Sequence, residues 1–142
     1  MAMQPEDSPG FLLWHVTLRW QRAVTATLKP LGLTHVQFVL LASTWWLNTH
    51  DEQPSQAALS AFASIDVKMA SQVIRTLERK GLITRQVDTA DTRARRLVVT
   101  EAGAALAPRA VDAVEAVDAA LLKPLSRADA RAFAKTLRQL RQ

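Results

Sequence analysis

At Gly81 the sequence changes from a helical to an extended pattern. The segment that ends there begins at Asp66, a residue that can cap a helix, and its apolar side chains recur every three or four positions. Beyond Gly81, residues 82–87 and 95–99 are rich in β-branched side chains and flank the polar stretch 88–94, which predicts a hairpin with a long tip. A helix followed directly by a hairpin is therefore the first constraint on the fold.

The rest of the chain has helical spacing. A short helix is predicted from Ser55 to Ala63, with Leu59 and Phe62 facing the core, and longer helices over residues 11–31, 35–47, 101–122 and 126–142. Pro108 predicts a bend in the helix over 101–122. N-caps are predicted at Thr34 (a capping box with Gln37), Ser55, Asp66, Thr100 and Ser126. The order short helix, turn, longer helix, hairpin predicts a mainly α winged helix-turn-helix.

The composition indicates one globular domain without thiol chemistry. The chain has 142 residues, of which 49% are apolar and 22% charged, and it has no cysteine. His15, His35 and His50 lack metal-ligand spacing, and no glycine-rich phosphate loop or Ser/His/Asp arrangement stands out. We therefore predict no enzymatic activity, no cofactor and no metal site.

No membrane partner is expected. The longest apolar stretch, residues 38–47, is shorter than the roughly 20 residues that a membrane span needs. The acidic N-terminus lacks the basic and apolar regions of a secretory signal, so we expect a cytoplasmic protein.

Positive charge is concentrated in one part of the sequence. Residues 64–100 contain eight Lys and Arg and four Asp and Glu, a net charge of +4, and the remainder has +1. A concentrated basic region is expected of a protein that neutralises phosphates, although a solvated basic face has the same composition.

The outer side of the helix after Asp66 carries donors and cations at positions 68, 71, 72, 75 and 79 (Lys68, Ser71, Gln72, Arg75 and Arg79). Such a helix fits the major groove, where Arg75 suits guanine and Gln72 suits adenine, and the small Ser71 permits close approach. The alternative is an ordinary solvated helix surface.

Three stretches resemble the MarR family of bacterial transcriptional regulators. Residues 66–81 are similar to the family's recognition helix, Asp91-Thr-Arg93-Ala-Arg to its wing, and Leu97-Val-Val-Thr-Glu-Ala-Gly103 to the start of the following helix. The resemblance implies a DNA-binding lobe over residues 34–100 and dimerisation helices over 10–32 and 101–142 within one domain, 1–142. It also implies a homodimeric repressor bound to double-stranded DNA at an inverted repeat, with half-sites roughly 10 bp apart.

By the same resemblance, Arg93 would insert into the minor groove, and Asp91 would orient the wing by pairing with a nearby arginine. Ser55 and Arg95 complete the set of implied DNA-contact residues. The alternative to wing insertion is a surface turn held by a local Asp–Arg pair. The alternative to dimerisation is that the apolar stripes of the helices form a core within one chain.

The first two helices carry candidates for an effector pocket, namely Trp14, His15, Arg19, Trp20, His35, Trp45 and Trp46. Relatives in the family bind small aromatic acids, which lower their affinity for DNA, and Arg19 or His15 would hold the carboxylate here. The alternative, favoured at this point, is that the tryptophans pack the dimer core. The absence of cysteine excludes the thiol-oxidation switch of some relatives.

The sequence thus predicts a sequence-specific DNA-binding regulator, a homodimeric repressor that a small aromatic ligand can release. The alternatives are a non-switching regulator or activator with the same DNA-binding mode, and a winged-helix module that binds an acidic protein.

Overall fold

The computed structural model describes residues 4–91 and 93–142. Within them lie six α-helices and a two-stranded antiparallel sheet: α1 (Pro9–Leu28), α2 (His35–Thr49), α3 (Gln56–Ala63), α4 (Val67–Arg79), β1 (Ile83–Val87), β2 (Arg95–Val99), α5 (Glu101–Leu122) and α6 (Arg127–Leu140). The predicted mainly α fold with a hairpin wing is confirmed. Thr92 of the predicted wing and residues 1–3 of the predicted N-terminal segment lie outside the described residues.

The predicted caps are confirmed. In the capping box, the Gln37 amide donates to Thr34 Oγ1 at 3.2 Å, and the Thr34 amide donates to Gln37 Oε1 at 3.3 Å. The side chains of Ser55, Asp66, Thr100 and Ser126 likewise accept backbone N–H groups of the first turns that follow them. These local hydrogen bonds satisfy N–H groups that have no partner within a helix, so each one sets the start of its helix.

The first helix ends earlier than predicted. The α-helix stops at Leu28, and a 3₁₀ turn continues from Lys29 to Leu31. Pro30 has no N–H to donate, and the left-handed Gly32 (φ 72°) then turns the chain towards α2. α5 extends over the predicted range and contains Pro108, and the bend expected there stays a prediction.

The core lies around α2, which packs against α1, α3, α4, α5 and β2. The largest fully buried side chains of the core come from α1, α2, α3, α4, β1 and β2: Val24, Leu28, Leu40, Leu41, Thr44, Leu59, Ile74, Leu77, Ile83 and Leu97. The prediction that Phe62 faces this core is wrong, because Phe62 is 52% exposed. The short α3 turns Leu59 and Ser60 inward, which leaves Phe62 at the rim, where its ring stacks on Trp46.

The hairpin is attached to the helices through backbone groups of β2. Its strands pair from Ile83 with Val99 to Val87 with Arg95. The Leu97 amide donates to the carbonyl of Pro54 at 2.8 Å, and Asn48 at the end of α2 accepts from the Val99 amide at 2.9 Å. The wing is therefore held in a fixed position beside α3.

Among the described helices, none is by itself long and apolar enough to cross a membrane; α3 and α4 meet those limits only as a pair bent by 111°.

Candidate nucleic-acid interface

The two sides of α4 are divided as the sequence predicts. Ala70, Ile74 and Leu77 are buried against the core. The opposite side carries Lys68, Gln72, Arg75 and Arg79, which are exposed, and Ser71, which is half-buried. The helix therefore offers a polar, cationic surface without a large apolar side chain at its centre.

Arg75 lies along this surface rather than projecting freely from it. Its Nη2 donates to Ser71 Oγ at 3.2 Å and its Nε to the Ser71 carbonyl at 3.4 Å. Arg79 is held in the same way, since its Nη2 donates to Thr76 Oγ1 at 3.0 Å. Ser71 thus positions the guanidinium of Arg75 in addition to leaving room for a close approach.

Lys68 and Gln72 have free side-chain donors. Within residues 4–91 and 93–142, neither side chain makes a hydrogen bond or ion pair. Both are exposed on the first two turns of α4, so they can donate to a ligand without breaking an existing interaction.

Arg85 on β1 fixes the orientation of α4. Its Nε donates to Glu78 Oε1 and its Nη2 to Gln56 Oε1, both at 2.9 Å, so one guanidinium joins α4, α3 and β1. Lys80 adds a second link, because its Nζ donates to the Gln37 side chain at 2.8 Å. In the sequence, Arg85 and Lys80 are recognisable only as positive charges of residues 64–100.

The tip of the wing is organised mainly by Asp88, which sequence analysis missed. The Asp88 carboxylate accepts from the Ala90 amide and from Arg96 Nε, each at 2.7 Å. The backbone N–H of Ala90 and then the side chain of Arg96 lower the pKa of Asp88 below its ordinary value of 3.8. The signal in sequence was an aspartate at the first position of a turn.

Asp91 pairs with an arginine as expected, but that arginine is Arg93 itself. Asp91 Oδ1 accepts from the Arg93 amide at 3.0 Å and from its Nε at 3.5 Å. The side chain of Arg93 is 92% exposed, so this ion pair is weak and leaves the guanidinium available at the tip.

The remaining predicted DNA contacts flank these elements. Ser55 Oγ accepts from the Ala58 amide at 3.1 Å as the cap of α3, and its hydroxyl hydrogen remains available for donation. Arg95 begins β2 and is exposed, and its Nη1 donates to the carbonyl of Ala94 at 3.3 Å. Their DNA-binding role stays a prediction.

A second basic surface lies on α6, outside the basic region predicted over residues 64–100. Residues 123–142 contain six Lys and Arg and one acid, a net charge of +5, which the acidic remainder of the chain masks in the total. All six cations are exposed, and five of them recur every three or four positions: Arg127, Arg131, Lys135, Arg138 and Arg141. Positive charge is thus shared between residues 64–100 and the C-terminal helix.

Of the seven predicted pocket residues, all of them described, the structure brings Trp20 and His35 together, with ring centroids 5.0 Å apart. Trp20 Nε1 donates to Asp118 Oδ1 at 2.7 Å, and burial lowers the pKa of His35 although Asp118 opposes the shift. The other candidates lie elsewhere: Trp14, His15 and Arg19 are exposed on α1, Trp45 packs against the core, and Trp46 stacks on His50. A ligand-binding role for the seven stays a prediction.

Apolar surface is left uncovered on two helices. The N-terminal half of α1 exposes Phe11, Leu12, Leu13, Trp14 and Val16, and α6 exposes Phe133, Leu137 and Leu140. Within the described chain, α6 contains no buried residue. Patches of this kind on a small protein mark an interaction surface.

Comparisons with known proteins find the same architecture. A family model described as the MarR family matches residues 33–94. The chain is 44% identical over 116 residues to the HTH-type transcriptional regulator YdcH of Bacillus subtilis, covering 82% of this chain and 79% of that protein. It is 34% identical over 136 residues to the HTH-type transcriptional repressor Rv2887 of Mycobacterium tuberculosis, covering 95% of both.

Two crystal structures of the Mycobacterium tuberculosis protein align with this chain. The complex with DNA has a TM-score of 0.74 and 33% identity, and covers 94% of this chain and 97% of that one. The complex with salicylic acid also has a TM-score of 0.74 and 33% identity, and covers 96% of this chain and 99% of that one.

Proposed function

The chain belongs to the MarR family, and on that basis we propose that it is a homodimeric transcriptional repressor that binds double-stranded DNA by sequence. The observation that carries the proposal is the outer face of α4, with free donors on Lys68 and Gln72, next to a wing that presents the 92% exposed Arg93. The related repressor of Mycobacterium tuberculosis, solved in complex with DNA, supports it.

In the proposed complex, α4 lies in the major groove and the wing reaches the minor groove. Gln72 and Arg75 then face base edges, where amide and guanidinium groups form paired hydrogen bonds with adenine and guanine. Arg93 enters the narrow minor groove, where negative potential is greatest. The links through Arg85 set the angle between α4 and the wing, so that both grooves can be contacted together.

A second copy of the chain would cover the apolar faces of α1 and α6. We propose that residues 10–32 and 101–142 form the dimer and residues 34–100 bind DNA. Two-fold symmetry then requires an inverted repeat, with half-sites about one helical turn apart, roughly 10 bp.

A small aromatic ligand is the proposed signal. Trp20 and His35 connect α1 of the dimerisation region to the first residue of α2 in the DNA-binding lobe. A ligand bound beside Trp20 would change this junction and so the spacing of the two recognition helices, which lowers the affinity for DNA. The structure of the related repressor in complex with salicylic acid supports a small aromatic ligand.

We propose that the chain binds DNA and catalyses no reaction, and that it acts in the cytoplasm, where bacterial DNA is found. An activator with the same site, or a winged-helix module for an acidic protein, would use the same surface. Selection of bound duplexes from a randomised pool distinguishes the winged-helix module from a DNA-binding regulator, because only a protein that prefers certain base sequences enriches a duplex.

Selection by the purified full chain, followed by footprinting, should enrich an inverted repeat. Arg75→Ala should then cost about 1–3 kcal/mol in binding and relax the preference at one base position. Arg131→Ala, which removes the same charge from α6, is the matched control and should leave the preference intact. Enrichment of no sequence would overturn the proposal in favour of the interaction module.

A further inference from the structure

The regularly spaced cations of α6 form one continuous row along the helix, which we call the cationic row. At 100° per residue they fall within a sector of about 120°, and they extend over about 21 Å of the helix axis. The apolar side of α6 points elsewhere, since Phe133 and Leu137 line a cleft together with Leu121 of α5. The row therefore remains on the surface when the apolar side is covered. Its members, all exposed, are Arg127, Arg131, Lys135, Arg138 and Arg141.

No acidic side chain of the described residues compensates the cationic row. Its members follow one another at spacings of three or four, so like charges are neighbours four times along the helix. None of them forms an ion pair within residues 4–91 and 93–142, and Asp129, the acid of α6, lies on the opposite side of the helix. Neighbouring like charges destabilise a helix, and an ordinary solvated face avoids them by alternating acids with bases. The row is therefore typical of a surface that meets a partner of negative charge.

The cationic row lies at the other end of α5 from the wing. α5 begins beside the hairpin, where the Thr100 amide donates to the Leu82 carbonyl at 3.0 Å. The 22 residues of α5 extend about 33 Å from there, and α6 packs beside Leu121 and Leu122 at the far end. A straight duplex held by α4 and the wing is thus separated from the row by the length of α5.

We propose that the cationic row binds the phosphate backbone of a second DNA duplex without regard to its sequence, so that the protein bridges two segments of DNA. Phosphates recur about every 3.4 Å along each strand, so the row can face roughly six of them. Four of its five cations are arginines, whose planar guanidinium donates two hydrogen bonds to one phosphate. An anionic membrane is a poorer fit, because a helix on a membrane buries its apolar side, which here faces α1 and α5.

Bridging rests on the proposed function, because α4 must hold the first duplex, whereas binding of a duplex by the cationic row does not. Contacts to phosphates carry no information on the bases. The row therefore adds affinity for any duplex and leaves the sequence preference of α4 unchanged.

A bridging assay with the full chain tests the second binding surface. A duplex of unselected sequence is fixed to beads, a fluorescent copy of it is added with the protein, and the retained fluorescence is measured. The wild-type chain should retain the copy. Arg131→Gln with Lys135→Gln and Arg138→Gln should retain at least about tenfold less, because three phosphate contacts are lost. Glutamine is as good a helix former as arginine or lysine, so circular dichroism and sedimentation should show unchanged helix content and mass.

Two further variants control for charge and for side-chain identity. Arg22→Gln with Lys29→Gln and Arg109→Gln removes three exposed cations that lie outside α4, the wing and the cationic row, and it should bridge like the wild type. Arg131→Lys with Arg138→Lys keeps the charge of the row and should also bridge.

A variant of the DNA-binding lobe isolates the cationic row. Lys68→Gln with Arg75→Gln and Arg93→Gln removes cations of α4 and the wing, and the chain should still bind a fluorescent duplex weakly at low salt. Adding the three glutamines of α6 to this variant should lower the slope of log affinity against log salt by about 2.7, roughly 0.9 for each phosphate contact. Fluorescence anisotropy measures both slopes.

Equal retention by the wild type and the α6 variant, or equal losses in the α6 variant and its matched control, overturns the inference. Binding of phosphatidylserine vesicles or polyglutamate through the row, without binding of a duplex, also overturns it and assigns the row to a membrane or to an acidic protein. The outcome is separable from that of the proposed function. A chain that selects an inverted repeat but bridges independently of α6 refutes only this inference, and a chain that selects no sequence but binds duplexes through α6 refutes only the function.

Discussion

Gly103 occupies a position where a side chain does not fit. A Cβ at this residue would lie 2.1 Å from the carbonyl oxygen of Leu82, because the first turn of α5 lies against the start of β1. Thr100 fixes that approach, since its amide donates to the same carbonyl at 3.0 Å and its hydroxyl to that of Gly81 at 2.6 Å. The threonine and glycine of the family-like stretch are therefore explained by one close contact between helix and strand.

Gly103→Ala should lower the free energy of unfolding by about 1–3 kcal/mol, as expected for overpacking against backbone. Gly10→Ala is the matched control, because a Cβ at Gly10 meets no atom within 4 Å and alanine favours the helix. Denaturant unfolding of both variants checks the prediction. Equal midpoints would show that α5 can move away from Leu82 at no cost.

Asp88 should make the wing sensitive to acid. Its pKa is lower in the folded chain than the ordinary 3.8, chiefly through the Ala90 amide and then Arg96. The stabilisation is therefore complete above the ordinary value and is lost as the pH falls through the folded value. Asp88→Asn should flatten the pH dependence of unfolding below about pH 4 relative to the control Asp112→Asn. The prediction would be wrong if NMR of the side-chain carboxyl groups showed Asp88 titrating at its ordinary pKa.

At the scale of elements, the arrangement of α4 and the wing depends on contacts that differ greatly in sequence separation. Caps such as Thr34 with Gln37 span three residues, so the sequence predicts them and the starts of the helices that they cap. Arg85 reaches Gln56 across 29 positions and Trp20 reaches Asp118 across 98, and no local pattern indicates such pairs. For this reason the elements were predictable, whereas the links that orient α4 and the hydrogen bond that joins α1 to α5 were not.

Phe62 is an apolar residue whose burial the local sequence pattern likewise does not determine. Helical spacing places it near Leu59, and the prediction that both face inward used that spacing alone. In the short α3, Ser60 is the buried neighbour, since its hydroxyl donates to the Ile65 carbonyl in the turn before α4. The path of the chain after α3, which spacing does not encode, decided which side of the helix is buried.

The wing should contribute to affinity through its tip. Arg93→Ala should cost about 1.5–3 kcal/mol in binding, the range for a hydrogen bond to a charged group, and the loss should be greatest for sites with A·T-rich flanks. Arg127→Ala removes an exposed cation from α6 and should have little effect on flank preference. Fluorescence anisotropy with duplexes that differ only in their flanks makes the comparison. Unchanged binding to A·T-rich flanks would refute insertion of the wing.

At the scale of the whole molecule, the fold of one chain and its assembly are separable. The core around α2 is closed within one chain, whereas α6 has no buried residue in the described chain and its apolar side faces outward. Its cationic side and its apolar side are adjacent, so a partner can cover Leu137 while the basic side chains stay in solvent. If a second copy covers α6 as proposed, we expect that dimerisation can be removed without unfolding the chain.

Leu137→Asp should give a folded monomer, because it places a charge in the apolar face of α6 and leaves the core intact. Gln139→Asp introduces the same residue on the opposite side of the helix and should remain dimeric. Sedimentation measures the mass and circular dichroism the helix content. Because a monomer engages one half-site at a time, its affinity for the inverted repeat should fall about 100-fold or more, while its affinity for an isolated half-site should stay unchanged. A monomer with full affinity for the repeat would show that α1 and α6 do not align the two recognition helices.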